Sequence, residues 1–220
     1  MVETDSTVRT ERETPSPPAP PEGYDEPKLF EYPTLMLLLV SIPLFLFTAY
    51  GFGWLLWQIQ GPEVFATLFS VTETEDSTVV VLDMIDVGLP LVVALFVTVV
   101  VHELIHGTVM HYYGQDVTYG VNPAMGAFYA AAFGQFQRRE QLFPIGLAPL
   151  VSIAVVATPF LAVPVSSIAV TAYMVVVINT TGAVGDLYVV WRLRRMPEGT
   201  LLYDVDLRHM YVFEPLDVGA

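Results

Sequence analysis

The chain has 220 residues, 54% of them hydrophobic, a positive mean hydropathy and a formal charge of -14 at pH 7. This composition points to a small integral membrane bundle, and the acidic balance argues against nucleic acid as a partner. No cysteine is present, which excludes disulfides, thiolate ligands and a cysteine nucleophile, so any metal must take nitrogen and oxygen ligands. An acidic exterior also suits a halophilic, high-salt cytoplasm.

Residues 1–28 are rich in Pro, Glu, Asp, Ser and Thr and poor in large apolar side chains. Such a stretch buries too little surface to offset its ordering entropy, so a disordered acidic tail is expected over residues 1–32. A signal peptide would need a basic start followed directly by an apolar core, and neither is present. Residues 33–60 carry no charge, and the run 34–57 exceeds the roughly 20 residues a spanning helix needs. Trp54 and Trp57 near its end suit a membrane interface. Residues 61–86 hold Glu63, Glu73, Glu75, Asp76, Asp83 and Asp86 without any Lys or Arg, which predicts a solvated loop. A short helix within 64–71 and a strand over 78–82 are expected there.

The second span, residues 87–113, contains His102-Glu103-Leu104-Ile105-His106. Its charge-free part, 87–101, is too short to cross alone, so the helix is expected to run on to Tyr113, with Gly114 as the stop. Residues 115–141 alternate over 117–121 and turn at 122–126, which predicts a short hairpin or re-entrant loop folding toward the histidines. The third span covers 142–163, with Pro144, Pro149 and Pro159 as bends. The fourth covers 165–190 and ends at Arg192, Arg194 and Arg195. A polar acidic tail, 196–220, follows, with a strand at 210–213.

The expected fold class is therefore an all-α membrane protein. Four transmembrane helices form a domain over 33–195, with a hairpin or re-entrant loop between helices 2 and 3. Arg138, Arg139 and the arginine cluster mark cytoplasmic ends, giving a multi-pass protein of the cell membrane with both termini cytoplasmic.

Two histidines four residues apart lie on one helical face and can share a metal, and Glu103 stands about 100° round the wheel, placed to act as a base on water. Zn2+ is the expected ion, and it needs a further protein ligand. Asp186 is the best candidate, since it is a lone carboxylate in an otherwise uncharged span at a compatible depth. Asn179, seven residues earlier, is two turns up the same face and can donate to a developing oxyanion, although an Asn tying two helices together is the competing reading. His111 lies about half a turn from His102 and suits a helix end, and His209 suits solvent.

His102-Glu103-Leu104-Ile105-His106-Gly107 on a membrane helix, Asn122-Pro123-Ala124-Met125-Gly126-Ala127-Phe128-Tyr129 in a later loop, and Gly185-Asp186 in a final span resemble a family of membrane proteins described as "putative zincin peptidases". The arrangement is more distantly similar to site-2 proteases, whose zinc is held by an HExxH pair and an Asp on a later helix. The resemblance covers about residues 85–195. It departs at the aspartate, which site-2 proteases commonly set in Asn-Pro-Asp-Gly or Leu-Asp-Gly, whereas here Gly185 precedes and Leu187 follows. It implies a metalloprotease cleaving a membrane protein or peptide near the cytoplasmic face of the lipid bilayer. A non-catalytic metal-binding scaffold and a small metal transporter are the alternatives. The first would show a fourth protein ligand, such as His111 or Glu140. The second would show polar residues continuing through 87–101, and that stretch offers none of charge.

Overall fold

A computed structural model gives the structure of the chain over residues 15–66, 68–73, 76–123 and 127–216. Expectations that fall on residues 1–14, on Glu75, on the turn residues Ala124, Met125 and Gly126, and on residues 217–220 lie outside the described residues.

Apolar helices make the body. Helix α1 (Thr34–Gln60) is apolar on every side, and Leu35, Leu38, Phe47 and Tyr50 stand largely exposed along it. A helix that turns such side chains outward is built for a hydrocarbon surround. Its end is tied back by Gln60, whose Nε2 donates to the carbonyls of Leu161 and Val163. A short helix α2 (Glu63–Ala66) and the antiparallel pair β2 (Phe69–Glu73) and β3 (Thr78–Leu82) fill the acidic loop.

The second apolar run is continuous from Met84 to Tyr112: α3 (Met84–Phe96), a π turn (Val97–Val101), then α4 (His102–Tyr112). The Asp83 side chain caps its start by accepting from the Ile85 and Asp86 N–H groups. Pro90, Ala94, His102, His106 and Met110 are all buried, a strip that advances in steps of four residues, or eight across the half-buried Thr98. In an ideal α-helix each such step drifts by about 40°. The wider π turn winds the chain back, which keeps the histidines on the same inward strip as Ala94.

The third run is α5 (Arg139–Ala157) closed by a 3-10 turn (Thr158–Ala162). Pro144 and Pro149 are absorbed inside α5, and Pro159 falls in the tighter turn. The fourth is α6 (Ser166–Gly182) followed by α7 (Val184–Leu193), bent by 44° at the break between them. Three runs are each long and apolar enough to cross a membrane, and the bent pair counted as one span makes four.

The all-α expectation needs correction, because the polar segments build sheets. Strands β4 (Thr118–Asn122) and β5 (Ala127–Ala131) pair antiparallel, with Tyr119 opposite Ala130. This is the hairpin expected after the second helix. A separate four-stranded sheet gathers β1 (Lys28–Leu29), β8 (Met210–Phe213), β7 (Leu201–Asp204) and β6 (Phe136–Arg138), in that order. Strands β7 and β8, both from the expected C-terminal tail, are the two inner strands, and all of β8 is buried.

Within the expected disordered tail, residues 15–32 make ordered contacts. Tyr24 bridges to Pro215, Tyr211 donates to the Pro15 carbonyl, and Lys28 pairs with Glu214 at 2.5 Å. Phe30 is the physical reason: it is 2% exposed, packed with Leu193, Met196, Leu202 and Val212. Burying one such ring contributes about 2–3 kcal/mol, enough to offset the ordering of a residue or two, and the strand pairing adds to it. The composition of the stretch as a whole hid this single anchor.

Candidate metal centre

α4 presents His102 and His106 to α5, α6 and α7 at once. Both rings are buried, 6% and 7% exposed. The Nδ1 of His102 lies 3.0 Å from Asn179 Oδ1, and the Nδ1 of His106 lies 2.8 Å from the Ile145 carbonyl. Both partners are oxygens that can only accept, so each imidazole carries a proton on Nδ1, and in the neutral ring Nε2 keeps its lone pair.

Those two lone pairs meet. His102 Nε2 and His106 Nε2 are 3.1 Å apart, Asp186 Oδ2 is 3.1 Å from His102 Nε2, and Asp186 Oδ1 is 3.5 Å from His106 Nε2. With both rings neutral, the two lone pairs and the carboxylate face one another with no hydrogen between them, an arrangement that suits a cation at its centre. The size fits as well: metal–nitrogen bonds of about 2.0–2.1 Å at tetrahedral angles put neighbouring ligand atoms roughly 3.3 Å apart. Among the described residues, His102, His106 and Asp186 form a group of three side chains that could hold a metal ion.

The outer partners set this geometry. Ile145 has a free carbonyl because Pro149, four residues on in α5, has no N–H to give it. The Asn179 contact runs to Nδ1, on the side of the His102 ring away from Asp186. Asn179 and Asp186 therefore do not share one continuous face, because the 44° bend intervenes between α6 and α7. Asn179, the expected oxyanion donor, meets His102 through its Oδ1.

The Asp186 side chain is 27% exposed against 8% and 9% for the two imidazoles, so the cluster is accessible from the aspartate edge. An ion held by these three side chains would keep a coordination position for substrate or water at that edge. His111 is exposed near the end of α4 and Glu140 pairs with Arg139 at 3.3 Å, and neither joins the cluster. His209 pairs instead with Asp206 at 2.9 Å.

Glu103 faces the β4–β5 hairpin, where its Oε2 accepts from the Ala130 N–H at 3.1 Å. Tyr119, directly across the hairpin from Ala130, lies over Gly107 one turn further along the same face, and a Cβ at Gly107 would collide with its phenol oxygen. The hairpin thus rests on the Glu103–Gly107 face of the metal-bearing helix. Sequence reasoning did not identify the Ile145 carbonyl or the Ala130 N–H, since backbone groups carry no residue signature. Pro149 was the available signal for the first.

No curated protein and no solved structure matches the chain in comparison. Residues 95–201, which include both histidines, Glu103, Asn179 and Asp186, match the family described as "putative zincin peptidase".

Proposed function

We propose that the protein is a membrane-embedded zinc metalloprotease in which His102, His106 and Asp186 hold the ion and Glu103 is the general base. The observation that carries this reading is the convergence of three lone-pair donors within 4.8 Å of one another, with the Glu103 side chain one residue round the same helix. Two imidazoles and a carboxylate suit zinc. A bound zinc ion supplies the Lewis acidity that polarises a substrate carbonyl and makes water nucleophilic near neutral pH.

The chain's own residues do the remaining work. Glu103 takes the proton of the attacking water and returns it to the leaving amine, a contribution of roughly 10²–10⁴ in rate. Ala130 holds the Glu103 carboxylate in place through its N–H. Asn179 and the Ile145 carbonyl fix both imidazole tautomers. The apolar helices exclude bulk water from the inner side of the site, and the exposed edge of Asp186 is the side from which a peptide enters. The match to a peptidase family supports peptide-bond hydrolysis over simple metal storage.

We place the site toward the cytoplasmic face, with both ends of the chain on that side. The support is the cluster of Arg192, Arg194 and Arg195 just beyond Asp186, joined by Arg138 and Arg139 at the start of α5.

The test is zinc stoichiometry by elemental analysis, with cleavage of quenched fluorescent casein in detergent micelles as the probe reaction. Wild type is expected to hold one zinc per chain and cleave, while Glu103→Gln keeps the zinc and loses cleavage. Wild type without stoichiometric zinc, or Glu103→Gln cleaving at the wild-type rate, overturns the reading.

A further inference from the structure

The chain carries 23 acidic side chains against nine Lys and Arg, so a cation without a carboxylate partner should be rare in it. Yet Arg192, Arg195 and Arg208 meet no carboxylate at ion-pair distance among the described residues. Arg192 and Arg208 line one pocket of about 870 Å³ at the entry to α1, together with Phe30, Tyr32, Tyr188 and His209. Glu31 is the only acidic residue in its lining. Arg195 lines a smaller hollow that shares Arg192 and Leu29 with the first, where Lys28 and Glu214 neutralise one another.

Arg192 is held in position. The Tyr188 hydroxyl donates to the Glu31 carbonyl at 3.1 Å and accepts from Arg192 at 2.9 Å, and the guanidinium lies 5.0 Å from the centre of the Phe30 ring. That bond uses one of the five N–H donors of the fork, which leaves enough for two parallel bonds to a phosphate. The pocket also has a depth. Pro33 and Thr34, where the first apolar run begins, line it with Arg192 from the last turn of α7, and Tyr32 and Trp191 stand exposed nearby as interfacial aromatics do.

Thr34 belongs to a second hollow as well. A cleft of about 500 Å³ runs along α1 from Thr34 past Leu38 and Ser41 to Phe45, with Ile178 of α6 and Val184 of α7 on its other wall. The eleven steps from Thr34 to Phe45 rise roughly 16 Å, about half of the ~30 Å hydrocarbon core and so the depth of one leaflet. A basic pocket at the interface thus continues into an apolar slot one leaflet deep.

The dimensions choose among occupants. A helix about 10 Å across needs on the order of 1,200 Å³ over that length, more than twice the cleft. An extended peptide would carry N–H and C=O groups into a slot that cannot pair them, whereas an acyl chain carries none. We propose that the two hollows form one site for an anionic phospholipid, with its phosphate on Arg192 and Arg208 and one acyl chain in the cleft between α1 and the α6–α7 bend. A negative headgroup is favoured over a zwitterionic one because two guanidiniums face a single carboxylate residue, Glu31, in the pocket lining. The inference does not depend on the reading of the metal centre.

The test uses the full-length protein, stripped of lipid in an uncharged detergent and titrated with phosphatidylglycerol, phosphatidylcholine, inorganic phosphate or hexaglutamate, with bound ligand counted by native mass spectrometry. Wild type is expected to hold one phosphatidylglycerol per chain and to prefer it over phosphatidylcholine by about 10-fold. Arg192→Gln and Arg208→Gln should each weaken it about 5-fold, the worth of one interfacial cation. Ser41→Trp fills the cleft and should weaken phosphatidylglycerol about 10-fold without changing the preference over phosphatidylcholine. Ser41→Phe makes the same comparison if the larger ring prevents folding. Equal binding of the two lipids, or binding unmoved by both arginine variants or by the Ser41 variants, overturns the inference and leaves ordinary surrounding lipid. Inorganic phosphate binding as tightly as phosphatidylglycerol overturns it in favour of a soluble anion, and displacement of the lipid by hexaglutamate in favour of an acidic protein segment.

Discussion

Pro149 stands four residues after Ile145 in α5, and the carbonyl it leaves without an intrahelical partner accepts the Nδ1–H of His106 at 2.8 Å. A residue usually regarded as a helix breaker here supplies a hydrogen-bond acceptor to a metal site. Pro149→Ala would give Ile145 a competing N–H. We expect α5 to become more stable, since an interior proline costs a helix about 3 kcal/mol. Zinc affinity should nevertheless fall about 10-fold as the His106 tautomer loosens. Thermal unfolding and chelator competition should therefore move in opposite directions, and parallel changes would refute the assignment.

Asp186 should outweigh its neighbours. Asp186→Ala removes a ligand and is expected to lower zinc affinity by more than the roughly 10–100-fold that outer partners are worth. His111→Ala and His209→Ala, which lie outside the cluster, should leave it unchanged. Competition titration of the three variants separates these outcomes.

The hairpin's seat on α4 depends on one missing side chain. Gly107→Ala puts a methyl into the Tyr119 phenol, and only movement of that side chain or its strand relieves the clash. Casein cleavage is expected to fall because Ala130, opposite Tyr119, loses its hold on Glu103. Adding Tyr119→Ala should restore a large part of the loss. Equal activity in the two Gly107 variants would show that the hairpin does not position Glu103.

In the four-stranded sheet, burial pushes the Asp204 carboxyl up to about 6, against the pull of a hydrogen bond donated by Gln137 Nε2. An unfolded aspartate titrates near 3.9, so the folded chain holds a proton that the unfolded chain has released between about pH 4 and 6. The resulting stabilisation is full below pH 4 and is lost as the pH rises through 6, by at most about 2–3 kcal/mol. Asp204→Asn should flatten that slope, which denaturant unfolding at pH 4, 5, 6 and 7 would reveal.

The grouping of His102, His106 and Asp186 was legible in the sequence because all three are polar residues that apolar spans cannot otherwise tolerate. The strands at 78–82 and 210–213 were legible as short β-branched or aromatic runs, and β3 and β8 occupy those residues. The sheet was not, because its strands come from stretches far apart in the chain, and β1 is only two residues long. Long-range pairing of so short a strand leaves no periodicity to read. The Asn179 contact with His102 was not legible for a similar reason: helical spacing carries an angle forward only while the helix stays straight, and the break between α6 and α7 lies between Asn179 and Asp186.

The sheet also constrains how the chain threads a bilayer. β1 precedes α1, β6 lies between α4 and α5, and β7 and β8 follow α7, yet all four share one hydrogen-bonded sheet. Strands cannot pair across a membrane, so the chain must return to its starting side before β6 and again before β7. Each interval must contain an even number of crossings. The first is met by α1 and the run from Met84 to Tyr112, and the second by α5 with the bent α6–α7 pair counted as one traverse. A three-crossing arrangement would leave β7 and β8 on the opposite side from β1 and β6. If α5 crosses the membrane, the kinked helix that carries Asp186 has to cross it as well, and the parity of the fold is then set by the sheet.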